Sequence, residues 1–425
     1  MTGQAELPEE KTEKRGVMAV LGPGLVTGAA DDDPSGIGTY SQVGAQFGYA
    51  LPWPLLFSLP LMAAIQEICA RIGAGTGRGI AQNLKEHYPR SLLRFVVLLL
   101  LIANVINLGA DLGAMGAAFA LVVPGPVLPA TIAFGVISIL LEVFVSYERY
   151  AAVLKWATMS LFSYFAVVML AEVDWYAAIK GTLVPDFRFD NDHITALVAV
   201  LGTTISPYLF FWQSAQEVEE QHRRHVKPLM VSPASAGPEL RRIRTDTLVG
   251  MAFSNLTAIV IVIATAATLH QSGITQINSA VEAASALRPL AGELAFALFA
   301  IGIVSTGLLA VPVLAGSAAY AVAEMFGWRE GLNRRPREAK AFYAVIAVAT
   351  LGGVAMNLFD FNPMQALYWS AVVNGLLAPP LMIVTMLIAR NPKVMGELAI
   401  PKGLAFGGWV STAVMLGVAL LFVFS

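Results

Sequence analysis

Residues Thr27–Thr39 read TGAADDDPSGIGT. Three consecutive aspartates run into a proline and two glycines, in the middle of the first apolar segment of the chain. A carboxylate near the centre of a bilayer costs about 3 kcal/mol or more unless it is paired or hydrated. The proline following Asp33 lacks a backbone donor and clashes with the preceding turn. The segment therefore reads as a membrane helix interrupted at Asp33-Pro34, and an interruption in lipid is tolerated only where it is buried in protein or lines a cavity.

The composition agrees. Of 425 residues, 56% are hydrophobic and 13% charged, which excludes an ordinary soluble domain. Eleven apolar runs of bilayer length lie near residues 18–46, 50–70, 95–122, 125–146, 150–171, 194–216, 248–269, 291–326, 341–358, 364–388 and 404–424. The first run reads as a span, not a cleaved leader, because apolar character resumes after the aspartates. A net charge of −2 argues against a nucleic-acid partner, and the single cysteine, Cys69, excludes an intrachain disulfide or a thiolate cluster. With eleven alternating helices and a cytoplasmic N-terminus, every Lys and Arg except Lys180, Arg188 and Arg288 falls inside. The chain then sits in the cell (inner) membrane with its C-terminus extracytoplasmic. Residues 1–15 read as a disordered cytoplasmic tail, and the His222/His225 pair as part of a solvated loop and not a metal site.

A second interruption lies in the sixth run, GTTISPYLFFWQS, with Ser206 and Pro207 at its midpoint. Pro207 alone would read as a simple kink. Paired with the break at Pro34, it marks the first helix of each of two inverted halves, about 16–171 and 193–389 within a transporter core of 16–403, with 404–425 as an additional helix 11. Paired broken helices of this kind point to a substrate site at the bilayer midplane. No Lys or Arg lies at membrane depth to neutralise Asp33, so a transported cation is the expected partner.

From Asp33 to Trp53 the chain reads DPSGIGTYSQVGAQFGYALPW, which resembles the Nramp family of divalent-metal transporters. The resemblance continues through QEICARIGAGTGRGIAQ, ADLGAMGAA, GTTISPYLFFWQS and RRIRTDTLVGMAFSNL. It implies an all-α membrane protein with a LeuT-like inverted repeat (helices 1–5 and 6–10), broken helices 1 and 6, and metal held between the breaks. It also implies departures. The family's Asn ligand is Gly36 here, its Met-Pro-His is Ser206-Pro207-Tyr208, and its Asp-Leu-Ala-Glu is Asp111-Leu112-Gly113-Ala114. The tenth-helix glutamine falls at Ala371. These changes resemble the Nramp-related magnesium transporter branch. Losing a thioether relaxes discrimination against hard ions, and small side chains make room for Mg²⁺, which keeps several waters.

The expected metal site is Asp33, Gly36, Thr203, Ser206 and Tyr208, with Asp32, Asp111 and Ala371 as outer-shell or vestibule positions and Asp31 also in the vestibule. Asn104, Asn107 and Asn374 read as glue between helices, and Glu67 has no assigned role. The expected activity is transport without catalysis or cofactor: uptake of partly hydrated Mg²⁺, and also Mn²⁺, driven by membrane potential with weak or no proton coupling. The alternatives are a proton-coupled Mn²⁺ or Fe²⁺ transporter, an amino-acid symporter, and an intramembrane aspartyl protease built on Asp33 and Asp111.

Overall fold

The computed structural model describes residues 22–145, 158–359 and 361–425. The expected tail at 1–15, and the start of the first and fifth apolar runs, lie outside the described residues. Regular structure among the described residues is helical, with no strand. The principal helices are α1 (Pro23–Asp31), α2 (Pro34–Phe47), α3 (Trp53–Thr76), α4 (Ile80–His87), α5 (Arg90–Ala120), α6 (Val127–Phe144), α7 (Phe162–Leu170), α8 (Trp175–Leu183), α9 (Asn191–Thr204), α10 (Pro207–Arg223), α11 (Ala236–Thr265), α12 (Ala280–Ser285), α13 (Ala295–Phe326), α14 (Lys340–Met356), α15 (Pro363–Arg390) and α16 (Lys402–Phe424). Eight helical stretches among the described residues are long and apolar enough to cross a bilayer. The interrupted α1–α2 pair and two shorter apolar stretches, Met159–Leu170 and Lys340–Met356, fall below that length.

Burial separates centre from periphery. The α9–α10 stretch is 94% buried across its most apolar window, whereas α6 is 22% and α16 28% buried, so α9–α10 is the axis of the bundle and the other two face lipid. Among the largest fully buried side chains are Tyr40 of α2 and Tyr208, Phe210 and Trp212 of α10. Large apolar side chains such as Val136, Leu140 and Phe406 stay exposed on the peripheral helices, as expected where the solvent is hydrocarbon.

Helices that share a solvent with Leu gain nothing by simply burying it, so membrane helices associate through close approach and hydrogen bonds. Two contacts here are backbone on backbone. In α1, Gly24 and Gly28 form a small-xxx-small seat for α11. A Cβ on Gly28 would stand 2.3 Å from the Gly250 carbonyl oxygen, and one on Gly250 would stand 2.3 Å from that of Gly24. α9 meets α15 in the same way, where a Cβ on Gly202 would lie 2.1 Å from the Ala371 carbonyl and one on Gly375 2.5 Å from that of Val198. The first half of each broken helix is therefore pressed onto another helix with no side chain between them.

That geometry yields a stability prediction. Gly250→Leu has to push the α1 and α11 backbones apart and should destabilise the protein by about 1–3 kcal/mol or prevent its folding. Gly417→Ala, where nothing lies within 4 Å of the added carbon, should leave the melting temperature unchanged. Thermal denaturation in detergent of the two variants beside the wild type checks it.

Candidate functional site

Both interruptions are two residues long and have the same form. After α1, Asp32 (φ −82°, ψ 48°) and Asp33 (φ −72°, ψ 172°) lead into Pro34; after α9, Ile205 (φ −116°, ψ 57°) and Ser206 (φ −76°, ψ 133°) lead into Pro207. Each proline takes the first position of the new helix, where its missing N–H costs nothing. The two ends differ in how their orphan backbone groups are satisfied. Asp33 caps α2 with its carboxylate: Oδ1 accepts the Gly36 N–H at 2.6 Å and the Ser35 hydroxyl at 2.9 Å. Ser206 turns the other way and donates its hydroxyl to the Gly202 and Thr203 carbonyls at 2.9 and 2.7 Å, closing the last turn of α9.

The other oxygen of Asp33 faces across the bundle. Its Oδ2 accepts from the Tyr208 hydroxyl at 3.2 Å and from the Asn107 amide at 3.4 Å, and Asn107 in turn accepts the Asn374 amide at 3.1 Å. Tyr208 also lies 3.2 Å from the Ala30 carbonyl. Asp111, one turn beyond Asn107 on α5, accepts the Ser35 N–H at 3.1 Å, and its Oδ2 has no partner among the described residues. Four donors around one carboxylate fill its lone-pair sites. A cation reaching Asp33 must therefore displace or share one of them, and the two longest bonds, both on Oδ2, are the weakest to displace.

The structure thus brings together Asp33, Gly36, Thr203, Ser206, Tyr208 and Asp111 around the two breaks. Gly36 carries the mark of that crowding: a Cβ there would stand 3.1 Å from the Asp31 carbonyl and 3.4 Å from both Asp33 Oδ1 and Thr203 Oγ1. Three expectations are corrected. The roomy hollow is closed, because the Tyr208 ring occupies the centre and Asp33 is 1% exposed. The solvated vestibule assigned to Asp31 and Asp32 is a packed interface: both are buried, and the Ser254 hydroxyl of α11 lies 2.6 Å from Asp31 Oδ2 and 3.2 Å from Asp32 Oδ1. The helix does not continue through Asp32, so helical spacing misplaces these side chains. Ala371 contributes its carbonyl to the seat of Gly202, and the polar residue of α15 that reaches the aspartate network is Asn374, three positions on.

Asn107 and Asn374 bridge α5 and α15, as read from the sequence, and through Asn107 they also join the hydrogen-bond network of Asp33. The available signal was that Asn107 lies four residues before Asp111, on the same face of one helix. Asn104 does act as glue, donating to Ser317 and to the Leu314 carbonyl. Glu67 pairs with Arg71 at 2.7 Å; His222 lies in the exposed last turn of α10 and His225 in the exposed turn that follows it. No described ion pair reaches Asp31, Asp32, Asp33 or Asp111. Among the described residues no three His, Cys, Asp or Glu side chains converge as a ready-made metal site; hydroxyl, carbonyl and amide oxygens around one or two carboxylates are what the breaks offer.

α1 is held along its whole length by one stripe of α11, at positions four residues apart. Asp246 caps its start, accepting the N–H groups of Gly22, Gly24 and Leu25 at 2.9, 2.7 and 3.2 Å. Gly250 seats its middle, and Ser254 holds Asp31 and Asp32 at its end. Arg242 ties this stripe to α10 through Glu217 at 2.6 Å and also binds Glu239 at 2.8 Å. Thr27 adds a hydrogen bond to Gln213 of α10. At the opposite end Gln42 of α2 clasps the segment before α12, accepting the Ile277 N–H at 2.9 Å and donating to the Thr275 carbonyl at 3.2 Å. The breaks are closed off from both ends.

A helical membrane bundle with two interrupted helices meeting at a buried carboxylate defines a class of carriers, and the comparisons agree with it. The sequence profile described as natural resistance-associated macrophage protein-like, Nramp, matches residues 24–425. The chain belongs to the Nramp family, whose members are metal-ion transporters and not enzymes. It is 23% identical over 425 residues to the divalent metal cation transporter MntH of Klebsiella pneumoniae strain 342, covering 98% of this chain and 96% of that one. Its fold is that of the Eremococcus coleocola manganese transporter in complex with an aromatic bis-isothiourea substituted compound, with TM-score 0.75 and 17% identity over 98% of this chain and 88% of that one. MhsT in complex with L-phenylalanine is a more distant neighbour, with TM-score 0.63 and 13% identity over 94% of this chain and 98% of that one.

The Asp246 cap is testable. Losing a cap of this kind costs about 1–2 kcal/mol, and here it also frees α1 from the Arg242 network. In Asp246→Ala, amide hydrogen exchange over residues 22–30 should rise about tenfold, while exchange in α13 stays as in the wild type.

Proposed function

We propose that the protein takes up divalent cations, Mg²⁺ first and Mn²⁺ as well, as partly hydrated ions that bind at Asp33 between the two breaks. The observation that carries this reading is the set of side chains bonded to Asp33: the Ser35 hydroxyl, the Tyr208 phenol and the Asn107 amide, each of which carries an oxygen atom. Oxygen donors and retained water suit the hard ions. In the proposed binding step the ion takes the Oδ2 edge of Asp33, Tyr208 and Asn107 turn from donating to the carboxylate to presenting their oxygens, and the carbonyl of Thr203 and the Ser206 hydroxyl oxygen complete the shell. Oδ1 stays bound to Ser35 and Gly36, so α2 keeps its cap while the cargo comes and goes. Asp111 and Asp32 act on the ion as nearby negative charge.

The architecture proposed for this task is eleven crossings: two inverted five-helix repeats, about 16–171 and 193–389, with the peripheral α16 added. The matching two-residue breaks before Pro34 and Pro207 support it. The distribution of Lys and Arg supports an inner-membrane orientation in which the Gly22 end is cytoplasmic and the Gln42 end faces outward. Alternating access then opens either the Asp246–Arg242 end or the Gln42 end. A divalent ion moving inward gains about 4.6 kcal/mol per 100 mV, roughly a 2,000-fold concentration ratio, so uptake needs little or no proton coupling.

Proton-coupled uptake of Mn²⁺ or Fe²⁺ is the second reading. It is favoured by the names of the relatives, and by Met115: a Cβ on Gly307 would stand 2.4 Å from its sulfur and 3.2 Å from Pro34 Cγ, which puts a soft donor near the first break.

Uptake into proteoliposomes separates the two. The expected outcome is Mg²⁺ and Mn²⁺ uptake that falls at least a hundredfold in Asp33→Ala, with little acidification reported by a dye in the lumen. Proton entry matching metal flux would establish coupling, and Mn²⁺ uptake undiminished by millimolar Mg²⁺ would remove the magnesium reading.

A further inference from the structure

Beyond Gln42, away from Asp33, lies an open cavity of about 280 Å³ between the start of α9, the end of α2, the start of α15 and the segment before α12. Its polar lining includes Asp192, Thr195, Gln46, Gln276, Gln365 and Tyr368, with no Lys or Arg. Its floor continues through Gln42, Ile277 and Met364 into a neck bordered by Ile37, Phe299 and Leu367. The neck holds about 10 Å³, room for a single water, and Ile37 is one helical turn from Asp33.

The α9 and α15 sides of this cavity present acceptors, alongside the side-chain hydrogens of Gln46, Gln276 and Tyr368. Thr195 spends its only hydrogen on the Asn191 carbonyl at 2.6 Å, leaving its oxygen as an acceptor. Gln365 spends an amide hydrogen on Asn278 Oδ1 at 3.2 Å, and its oxygen takes no described donor. The Gln42 amide is committed to Thr275 and Gln46. Asp192 makes no ion pair among the described residues, and a carboxylate offers acceptors alone. A fully hydrated divalent cation is complementary to these three acceptors, since its water shell presents hydrogens outward and its charge is opposite to that of Asp192. Six waters at about 30 Å³ each occupy about 180 Å³, which fits the cavity but not the neck. A bare ion would find a single carboxylate there, and an anion would be repelled by it.

We propose that this vestibule is a docking site for a divalent cation with its complete water shell, held by Asp192, Thr195 and Gln365 before it sheds water and passes to Asp33. The inference rests on the reading above, that the cargo is a hydrated divalent ion. Waiting there makes physical sense, because the neck admits the ion only after the Gln42 clasp has opened and part of the shell is lost.

Cobalt(III) hexaammine is the probe: it is octahedral, presents N–H hydrogens outward as hexaaquamagnesium presents O–H, and does not exchange its ligands. Its binding to the purified full-length protein is measured by calorimetry, and its inhibition of Mg²⁺ uptake in proteoliposomes. The expected result is binding to the wild type with competitive inhibition. Asp192→Asn and Thr195→Val should each weaken binding at least fivefold and raise the half-saturating Mg²⁺ concentration at least threefold. Asp33→Ala should lose uptake yet bind the hexaammine as the wild type does. No binding to the wild type, equal binding in Asp192→Asn, or loss of binding in Asp33→Ala would each overturn the proposal. Calorimetry needs no transport, so a failure of this site and a failure of the magnesium reading give different results.

Discussion

The Asp33 carboxylate bonded to the first turn of α2 is the contact on which the remainder of the molecule depends. A broken helix leaves backbone groups that lipid cannot satisfy, and a carboxylate in the bilayer needs donors or a counter-charge. Joining the two problems solves both, because the exposed N–H groups of the new helix are donors that the carboxylate lacks. With Oδ1 spent on the cap, Oδ2 is left for chemistry. Both oxygens of one residue are thus in use, one for the helix cap and one for the hydrogen bonds across the bundle to Tyr208 and Asn107.

The surrounding helices divide into those that hold and those that can let go. α1 meets α11 through the Gly24 and Gly28 seat, a cap from Asp246 and a hydroxyl from Ser254. These contacts are directional hydrogen bonds and close backbone approach. Such an interface can separate as a unit once its few polar contacts are lost, whereas the Tyr208, Phe210 and Trp212 cluster of α10 has to stay packed. At the far end the Gln42 clasp on Thr275 and Ile277 has the same character: neutral amide bonds, each of modest net strength. Two weak closures flanking one strongly bonded carboxylate suit a carrier whose ends open in turn.

The membrane class, the interruptions at Asp33-Pro34 and Ser206-Pro207 and the burial of Asp33 at the first of them were legible along the chain because each rests on a local rule: apolar length, proline chemistry, and the cost of charge in hydrocarbon. Eight of the eleven apolar runs correspond to helical stretches of bilayer length among the described residues, and Asp33, Gly36, Thr203, Ser206, Tyr208 and Asp111 were brought to one place. Asn107 and Asn374 do bridge two helices, as read; the further bond from Asn107 to Asp33 was not legible, because an asparagine in a membrane helix has the same appearance whether or not it also bonds a buried aspartate. Asp31 and Asp32 were misplaced because helical spacing was carried through a point where the helix had ended. Asp246 carried no local signal, since its role is defined by a helix more than two hundred residues away.

What the amino-acid order determined by itself is the set of breaks and the run of aspartates ending at Asp33 in the first of them, since proline, glycine and charge act on the nearest turn of backbone. What only the tertiary structure decided is which groups answer those residues: the phenol of Tyr208 and the Asn107–Asn374 relay for Asp33, and the stripe of α11 for Asp31 and Asp32. These are meetings between helices distant in sequence, and the position of each partner is set by the packing of the entire bundle.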